Sequence, residues 1–168
     1  MKRVEKVLEH INKARELYQN YGQDMLENTI ISAQVGRYKH AIDTTDSMFK
    51  KFGVSAACSK CAQEIHGSCC FEGMEENYNE ILLLINLLLG VQLPLNREHK
   101  NQCFFIGSHG CKLVARYSFC VNYFCPKLEE SLGQDKMARL AGVIGNEVFT
   151  GWELELAIKK WLDNQTIQ

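Results

Sequence analysis

This sequence has few prolines, and its net charge is close to zero. Two prolines occur among 168 residues and no segment has low complexity, which argues against a disordered tail. Lysine and arginine total 19 against 20 aspartates and glutamates, so the formal net charge is −1. Such a chain produces no strong electrostatic field around it. We therefore expect neither nucleic acid nor an anionic membrane as a partner.

A long uninterrupted apolar run is missing too. The longest candidate, ILLLINLLLGVQLPL at 81–95, is interrupted at Asn86, Gly90, Gln92 and Pro94. A membrane-spanning helix needs about 20 consecutive apolar residues, so we predict a buried core helix near 75–91 instead. The first residues, MKRVEKVLEH, are charged and lack the apolar segment of a secretory signal. These features predict a cytoplasmic protein, in which thiols are kept reduced.

Familiar catalytic and nucleotide-binding motifs are also absent. The sequence contains no G-x-G-x-x-G or Walker motif and no Ser/His/Asp or comparable catalytic order. The carboxylates Glu75, Glu76 and Glu80 fit the first turn of a helix, where negative charge is favourable, better than an acid/base pair. The sequence thus predicts no catalytic residue, and whether the protein is an enzyme stays open.

Cysteine, by contrast, is plentiful and confined to one segment. Its eight positions all lie between 58 and 125: Cys58, Cys61, Cys69, Cys70, Cys103, Cys111, Cys120 and Cys125. Cysteines that served only as small buried hydrophobes could lie in any part of the core. A disulfide framework is the alternative, but such frameworks are typical of small secreted chains with weak cores. Because thiolates select zinc, copper(I) or iron–sulfur centres, we predict that all eight cysteines bind metal.

The spacing of the first cysteines indicates how they could bind. Cys58 and Cys61 are separated by two residues, which lets two thiolates converge on one ion. A thioredoxin-like redox pair has the same spacing, but it follows a strand and precedes a helix. Here a helix is predicted before the pair and a glycine-containing loop after it. The adjacent Cys69 and Cys70 should point apart, so they would serve different ions, or one would bind while the other supports it.

Eight thiolates would carry more negative charge than two divalent ions can offset, so neighbouring donors and cations are expected to contribute. The candidates close in sequence are Lys60, His66, His99, Lys100, His109, Lys112 and Arg116. The three histidines could bind metal or lie on the surface, and both readings stay open. The lysines are expected in solvent. We predict that Arg116 supports the cluster, because its fixed charge and forked donors can neutralise thiolates and hold a loop carbonyl.

Apolar spacing predicts helices on both sides of the cysteine segment. One helix is expected over 2–21 and a second from a capping box at Asp24 to a stop at Gly53. After Pro126 the chain should be helical again, with a break near Gly133 and a new helix starting at Thr150. Both cysteine clusters are expected in loops, with short strands at Cys103–Ile106 and Lys112–Ala115.

The predicted fold class is mainly α, a helical bundle with an inserted irregular, metal-stapled, cysteine-rich lobe. We expect a single domain over 1–168. Its N-terminal helices would occupy 1–53, the cysteine-rich segment 54–127 and the C-terminal helices 128–164. Since 54–74 and 97–125 lack helical periodicity, metal removal should unfold them and leave the helical flanks intact.

The cysteine pattern resembles that of the CxxCxxCC cysteine-cluster family, the YkgJ-like proteins described as a zinc- or iron-chelating domain. The resemblance covers 58–125. It rests on Cys58 and Cys61, on Gly67 to Cys70, on Cys103, on Gly110 with Cys111, on Arg116, and on Cys120 and Cys125 with Tyr123 between them. The gap between Cys61 and Cys69 is longer than the family's, Tyr117 replaces a proline, and Val121 replaces an arginine.

This resemblance implies metal binding but no single function. The family is similar to the cysteine cluster of flagellin lysine N-methylases, which implies that the eight cysteines could hold an iron–sulfur cluster or zinc. Our first hypothesis is a cytoplasmic metal-binding protein without its own catalytic site. The alternatives are an iron–sulfur redox or electron-transfer protein and a protein lysine N-methylase-like enzyme. A protein partner is compatible with each, and its identity is unknown.

Overall fold

Helices dominate this protein, as the sequence predicts. The computed structural model describes residues 2–63 and 69–166. Six α-helices lie in these ranges: α1 Lys2–Glu27, α2 Thr29–Lys51, α3 Val54–Gln63, α4 Glu80–Leu88, α5 Ser118–Asn122 and α6 Pro126–Thr166. A 3₁₀ turn at Met74–Asn77 precedes α4. Two short strands, β1 Ile106–Gly107 and β2 Gly110–Cys111, lie between α4 and α5.

The boundary between α1 and α2 differs from the prediction. Helix α1 continues through Gly22, and the side chain of Asn28 caps α2, where Oδ1 accepts hydrogen bonds from the backbone nitrogens of Ile30 and Ile31, both at 3.1 Å. One glycine inside a helix costs only about 1 kcal/mol, and packing of α1 on α4 outweighs it. The predicted stop at Gly53 is correct, since this residue has a φ of 79°.

Helix α3 corrects the prediction that both cysteine clusters lie in loops. Cys58 and Cys61 are helical, and a spacing of three residues places them on the same face of α3. Val54 and Ala62 are buried and anchor the helix. The sequence signal was present: α3 contains three alanines, which favour helix most strongly.

Helix α4 is the centre of the main core and confirms the buried helix expected near 75–91. Leu83, Leu84 and Ile85 are completely inaccessible to solvent. The side chain of Asn79 caps the helix by accepting a 2.9 Å hydrogen bond from the Leu82 nitrogen. Among the described helices, none combines the length and the apolar content that a membrane crossing requires.

Helix α6 packs along α2 and carries a break at Gly133, where φ is 73° and ψ is 167°. This break was predicted, but the predicted helix start at Thr150 is wrong. The Thr150 hydroxyl donates back to the carbonyls of Asn146 at 2.8 Å and Glu147 at 3.1 Å, so the residue lies within a continuing helix. Phe49 of α2, Phe124, and Leu140 and Ile144 of α6 belong to a second apolar cluster.

The strands are shorter than predicted and only partly at the predicted positions. They pair antiparallel, with Ile106 opposite Cys111 and Gly107 opposite Gly110. The expected strand at Lys112–Ala115 does not form, because an amide side chain of α4, Asn86, takes its backbone hydrogen bonds. This segment is therefore fixed to the helical core and not to a sheet.

Candidate metal centre

The eight cysteines come from separate pieces of the chain, and all eight are free thiols. Helix α3 carries two, the residues just before the 3₁₀ turn carry two, the hairpin region carries two, α5 carries one, and one directly precedes α6: Cys58 and Cys61, Cys69 and Cys70, Cys103 and Cys111, Cys120, and Cys125. The question is then which of these thiols the fold brings near one another.

One group, which we call the first thiol group, surrounds Cys58. Desolvation by the surrounding protein raises the pKa of this thiol to about 11, although the residue still exposes part of its surface. The charges of Cys69, Cys61 and Cys125 contribute to this raised pKa, so these three lie within electrostatic range of Cys58. The first thiol group therefore combines α3, the residues just before the 3₁₀ turn and the residue directly before α6.

A second thiol group consists of Cys103, Cys111 and Cys120. Burial raises the pKa of Cys103 to about 12, and the charges of Cys111 and Cys120 act in the same direction. The backbone nitrogen of Cys103 also donates a 2.8 Å hydrogen bond to the carbonyl of Cys70. The backbone of Cys70 is therefore fixed beside this group.

The adjacent pair Cys69 and Cys70 lies between the two groups. A hydrogen bond between their thiols is the largest effect that raises the pKa of Cys69, followed by burial. Cys69 also lies within electrostatic range of Cys58 and of Cys120. Cys69 therefore connects the two groups through pairwise electrostatic interactions.

The thiols are not already arranged around an ion. Within residues 2–63 and 69–166, no three histidine, cysteine, aspartate or glutamate side chains form a group that could hold a metal as they stand. The pKa values of five thiols are raised, so a metal that bound to them would displace protons; these are Cys58, Cys69, Cys103, Cys111 and Cys120. Reactive redox thiols have a lowered pKa and often lie at a helix N-terminus. Cys58 has a raised pKa and lies inside α3, unlike a thioredoxin-like pair.

Arg116, which the sequence singled out, lies between α2 and the thiols. Its Nη2 donates a 2.9 Å hydrogen bond to Oδ1 of Asp46, and its guanidinium lies 5.6 Å from the ring centre of Phe49. Its charge lowers the pKa of Cys58, Cys111 and Cys120, although desolvation outweighs it in each. Its direct partner is thus a carboxylate, while its charge acts on both thiol groups.

The other candidates near the cysteines have varied positions. His66 lies outside the described residues. His99 Nε2 lies 3.5 Å from a carboxylate oxygen of Glu98, and His109 is exposed. Lys112 forms a 2.7 Å ion pair with the other oxygen of Glu98, so a carboxylate is its partner. The remaining candidates, Lys60 and Lys100, are exposed, as expected.

Tyr78 is a site residue that the sequence reasoning missed. Its side chain is 2% exposed, and its hydroxyl accepts a 3.1 Å hydrogen bond from the Tyr117 nitrogen. The same hydroxyl hydrogen-bonds to the thiol of Cys120. A lone tyrosine just before an apolar helix resembles an ordinary core residue, so nothing in the sequence marked it.

Asn86 was noticed only as an interruption of the apolar run, but it makes four hydrogen bonds. Its Nδ2 donates to the carbonyls of Leu82 at 3.0 Å and Ala115 at 2.8 Å. Its Oδ1 accepts from the nitrogens of Val114 at 2.9 Å and Ala115 at 3.0 Å. A fully satisfied amide is the arrangement that makes a buried polar side chain acceptable. Asn86 thereby fixes the segment between Cys111 and Cys120 to the core.

Glu75 also has a different role from the predicted one. It is completely buried and pairs with Arg97, while its Oε2 accepts a 2.9 Å hydrogen bond from the Gly73 nitrogen. Arg97 also pairs with Glu72 at 2.9 Å. This ion pair ties the 3₁₀ turn to the loop after α4 and lies within electrostatic range of Cys103.

Comparisons with known proteins found no similar protein. The chain matches no protein-family model, no curated protein and no solved structure. Its function must therefore be argued from its own residues, and the family resemblance of its cysteine pattern stays a prediction.

Proposed function

We propose that this chain is a metal-binding protein whose eight cysteines ligate one or more iron–sulfur or zinc centres, and that it has no catalytic site of its own. The observation that supports this most is the series of pairwise electrostatic interactions that connects the eight thiols. They come from distant parts of the sequence, yet each group brings together thiols from at least two elements. The resemblance to the YkgJ-like pattern supports the same proposal.

The chemistry of the donor set fits both metals. Zinc in structural sites takes four thiolates, and iron–sulfur clusters are held by cysteine thiolates. The first thiol group, Cys58, Cys61, Cys69 and Cys125, would supply four ligands. Cys70 together with the second thiol group would supply the other four. A bound zinc would act as a structural staple, and a bound iron–sulfur cluster would supply one-electron chemistry.

Charge around the thiols supports the proposal as well. Metal-bound thiolates keep negative charge that must be compensated in a partly buried place. Arg116 acts electrostatically on thiols of both groups, and the Tyr78 hydroxyl can donate to the sulfur of Cys120. Hydrogen bonds to metal-bound sulfur are the usual support for such ligands. We place this function in the reducing cytoplasm, where free thiols persist.

An electron-transfer role is the second candidate, and exposure favours it. Cys58 of the first thiol group and Cys111 of the second both reach the protein surface. A cluster bound there would lie close to a redox partner. An exposed position is not needed for a purely structural zinc ion.

Metal analysis of protein expressed and purified without oxygen tests the proposal. We expect stoichiometric iron with acid-labile sulfide, or stoichiometric zinc, and retention after Cys58→Ser or Cys111→Ser that is weakened by more than the roughly 10- to 100-fold typical for loss of a residue that only supports a ligand. Ala57→Ser is the matched control, since it adds a hydroxyl to an exposed position of α3 without removing a thiol. Protein without zinc or iron, with thiols that oxidise to disulfides, would contradict the proposal.

A further inference from the structure

A buried carboxylate without a partner lies away from the cysteines. Glu147 of α6 is 1% exposed, and neither oxygen of its carboxylate has a hydrogen-bond partner. The neighbouring hydroxyl, that of Thr45, is close enough to lower the pKa of Glu147, but its hydrogen bonds go to the carbonyls of Ala41 at 3.2 Å and Val143 at 3.4 Å. A buried carboxylate left this way is costly, and such a group in a native fold calls for an explanation.

Glu147 lines a cavity of about 180 Å³ where α2, α4, α5 and α6 meet. The volume is well above the share of one water molecule, about 30 Å³, and below the 300–1,000 Å³ of drug-sized pockets. It suits a small molecule. Three aromatic side chains contribute to the wall, Tyr38, Tyr117 and Trp152, and Trp152 is half-exposed.

The charged residues that line the cavity indicate whether its ligand is positive or negative. Arg116 reaches the cavity, but Asp46 already pairs with its guanidinium at 2.9 Å. Glu155, the other lining carboxylate, pairs with Lys159 at 3.3 Å. The charge of Arg116 also acts on Glu147, but among the described lining residues Glu147 is the carboxylate that no cation contacts in an ion pair. A carboxylate surrounded by aromatic rings is a binding environment for an organic cation, because rings attract cations over their faces.

We propose that this cavity binds a small organic ammonium compound, with its charged nitrogen on the carboxylate of Glu147 and its carbon atoms against the aromatic wall. The ligand would contact none of the eight thiols, although Ser118 and Val121 of α5, close to Cys120, contribute to the wall. The cavity would give this protein a small-molecule ligand in addition to its proposed metal.

Trp152 provides a direct readout. The sequence has two tryptophans, and the other, Trp161, packs against Tyr21 with ring centres 5.7 Å apart. In a Trp161→Phe background, the fluorescence of Trp152 should change saturably on titration with n-butylammonium. Neutral n-butanol, which has the same carbon chain, should bind roughly 10- to 100-fold more weakly, because it makes no charge-assisted pair.

Variants then assign the effect to the carboxylate. Glu147→Gln keeps the shape and should weaken n-butylammonium binding roughly 10- to 100-fold. Glu153→Gln is the control, since Glu153 lies on the same helix but pairs with Arg37 at 2.7 Å. No saturable response to n-butylammonium up to 50 mM (about a hundred times a 0.5 mM dissociation constant), or equal affinity in Glu147→Gln, would overturn the proposal. Metal content measured in the same samples distinguishes this failure from failure of the proposed metal centre.

Discussion

Replacement of Asn86 by leucine should be among the most damaging single changes in the protein. Leucine has a similar volume, so the core cavity term is small and the change removes mainly hydrogen bonds. The lost bonds leave the nitrogens of Val114 and Ala115 and the carbonyl of Ala115 without their partner. The Leu82 carbonyl lies within α4, where helical bonding can still satisfy it.

The size of the effect follows from these three groups. A buried polar group without a partner costs about 1–3 kcal/mol, so three such groups would cost about 3–9 kcal/mol if nothing relaxed. Val114 is partly exposed, and water can reach its backbone. We therefore expect a loss of about 3–5 kcal/mol, which corresponds to a fall in Tm of about 6–20 °C for a domain of this size.

Urea and thermal unfolding followed by circular dichroism measure this loss. Asn146→Leu is the control, because Asn146 is exposed on α6 and its change should stay within about 0.5 kcal/mol. Hydrogen exchange adds a local readout, in which the amides of Val114 and Ala115 should lose protection first. A loss below about 1 kcal/mol for Asn86→Leu would refute the view that this side chain fixes the 113–116 segment to the core.

Three further predictions concern other buried polar groups. Tyr78→Phe should cost about 1–3 kcal/mol in urea unfolding, because the Tyr117 nitrogen loses its acceptor; an unchanged midpoint would contradict this. Glu75→Gln should cost about 3 kcal/mol by breaking a buried ion pair, whereas Glu130→Gln, at an exposed position, should have little effect. Burial raises the pKa of Glu147 in the folded chain. The ionised carboxylate therefore lowers the free energy of unfolding at pH values above that pKa. This loss of stability fades as the pH falls toward about 4.3, the pKa in the unfolded chain. Stability of wild type relative to Glu147→Gln should therefore rise on acidification from pH 7, and a pH-independent difference would contradict the assignment.

The periodicity of apolar residues and the positions of glycines predicted the helical part of the fold well. The buried helix before residue 90, the stop at Gly53 and the break at Gly133 follow from strong local signals. The errors lie where two local signals competed. Asp24 with Glu27 and Thr150 with Glu153 both fit a capping box, yet Asn28 provides the cap and Thr150 lies inside a helix.

The site was harder to predict because its supports are long-range. The cysteine spacing indicated a metal-binding segment, but spacing does not show which thiols become neighbours. Asn86 and Tyr78 bind residues that are distant in the sequence. Glu147 lines a cavity between several helices. These positions depend on how the whole chain folds. Each looks unremarkable in sequence, and only its burial reveals a role.

The structure also changes the expected response to metal removal. Sequence reasoning predicted that all of 54–74 and 97–125 would unfold, since these segments lack helical periodicity. However, Phe104, Phe105 and Ile106 are almost fully buried in the main core, and Ala115 is held by Asn86. Burial of a phenylalanine contributes about 1.5–3 kcal/mol, so this part should stay ordered without metal.

The part of the chain whose order depends on metal should therefore be smaller than the whole of 54–74 and 97–125. Helix α5 is five residues long, and the rings of Phe119 within it and of Tyr123 directly after it are about two-fifths exposed. Such a short helix has little stability of its own. We expect chelation to raise amide exchange at 58–61 and 118–125 while 104–106 stays protected. Exchange measured by mass spectrometry on metal-loaded and chelated protein decides this. If 104–106 lost protection together with 118–125, the metal and the hydrophobic core would form one cooperative unit, and the division argued from burial would be wrong.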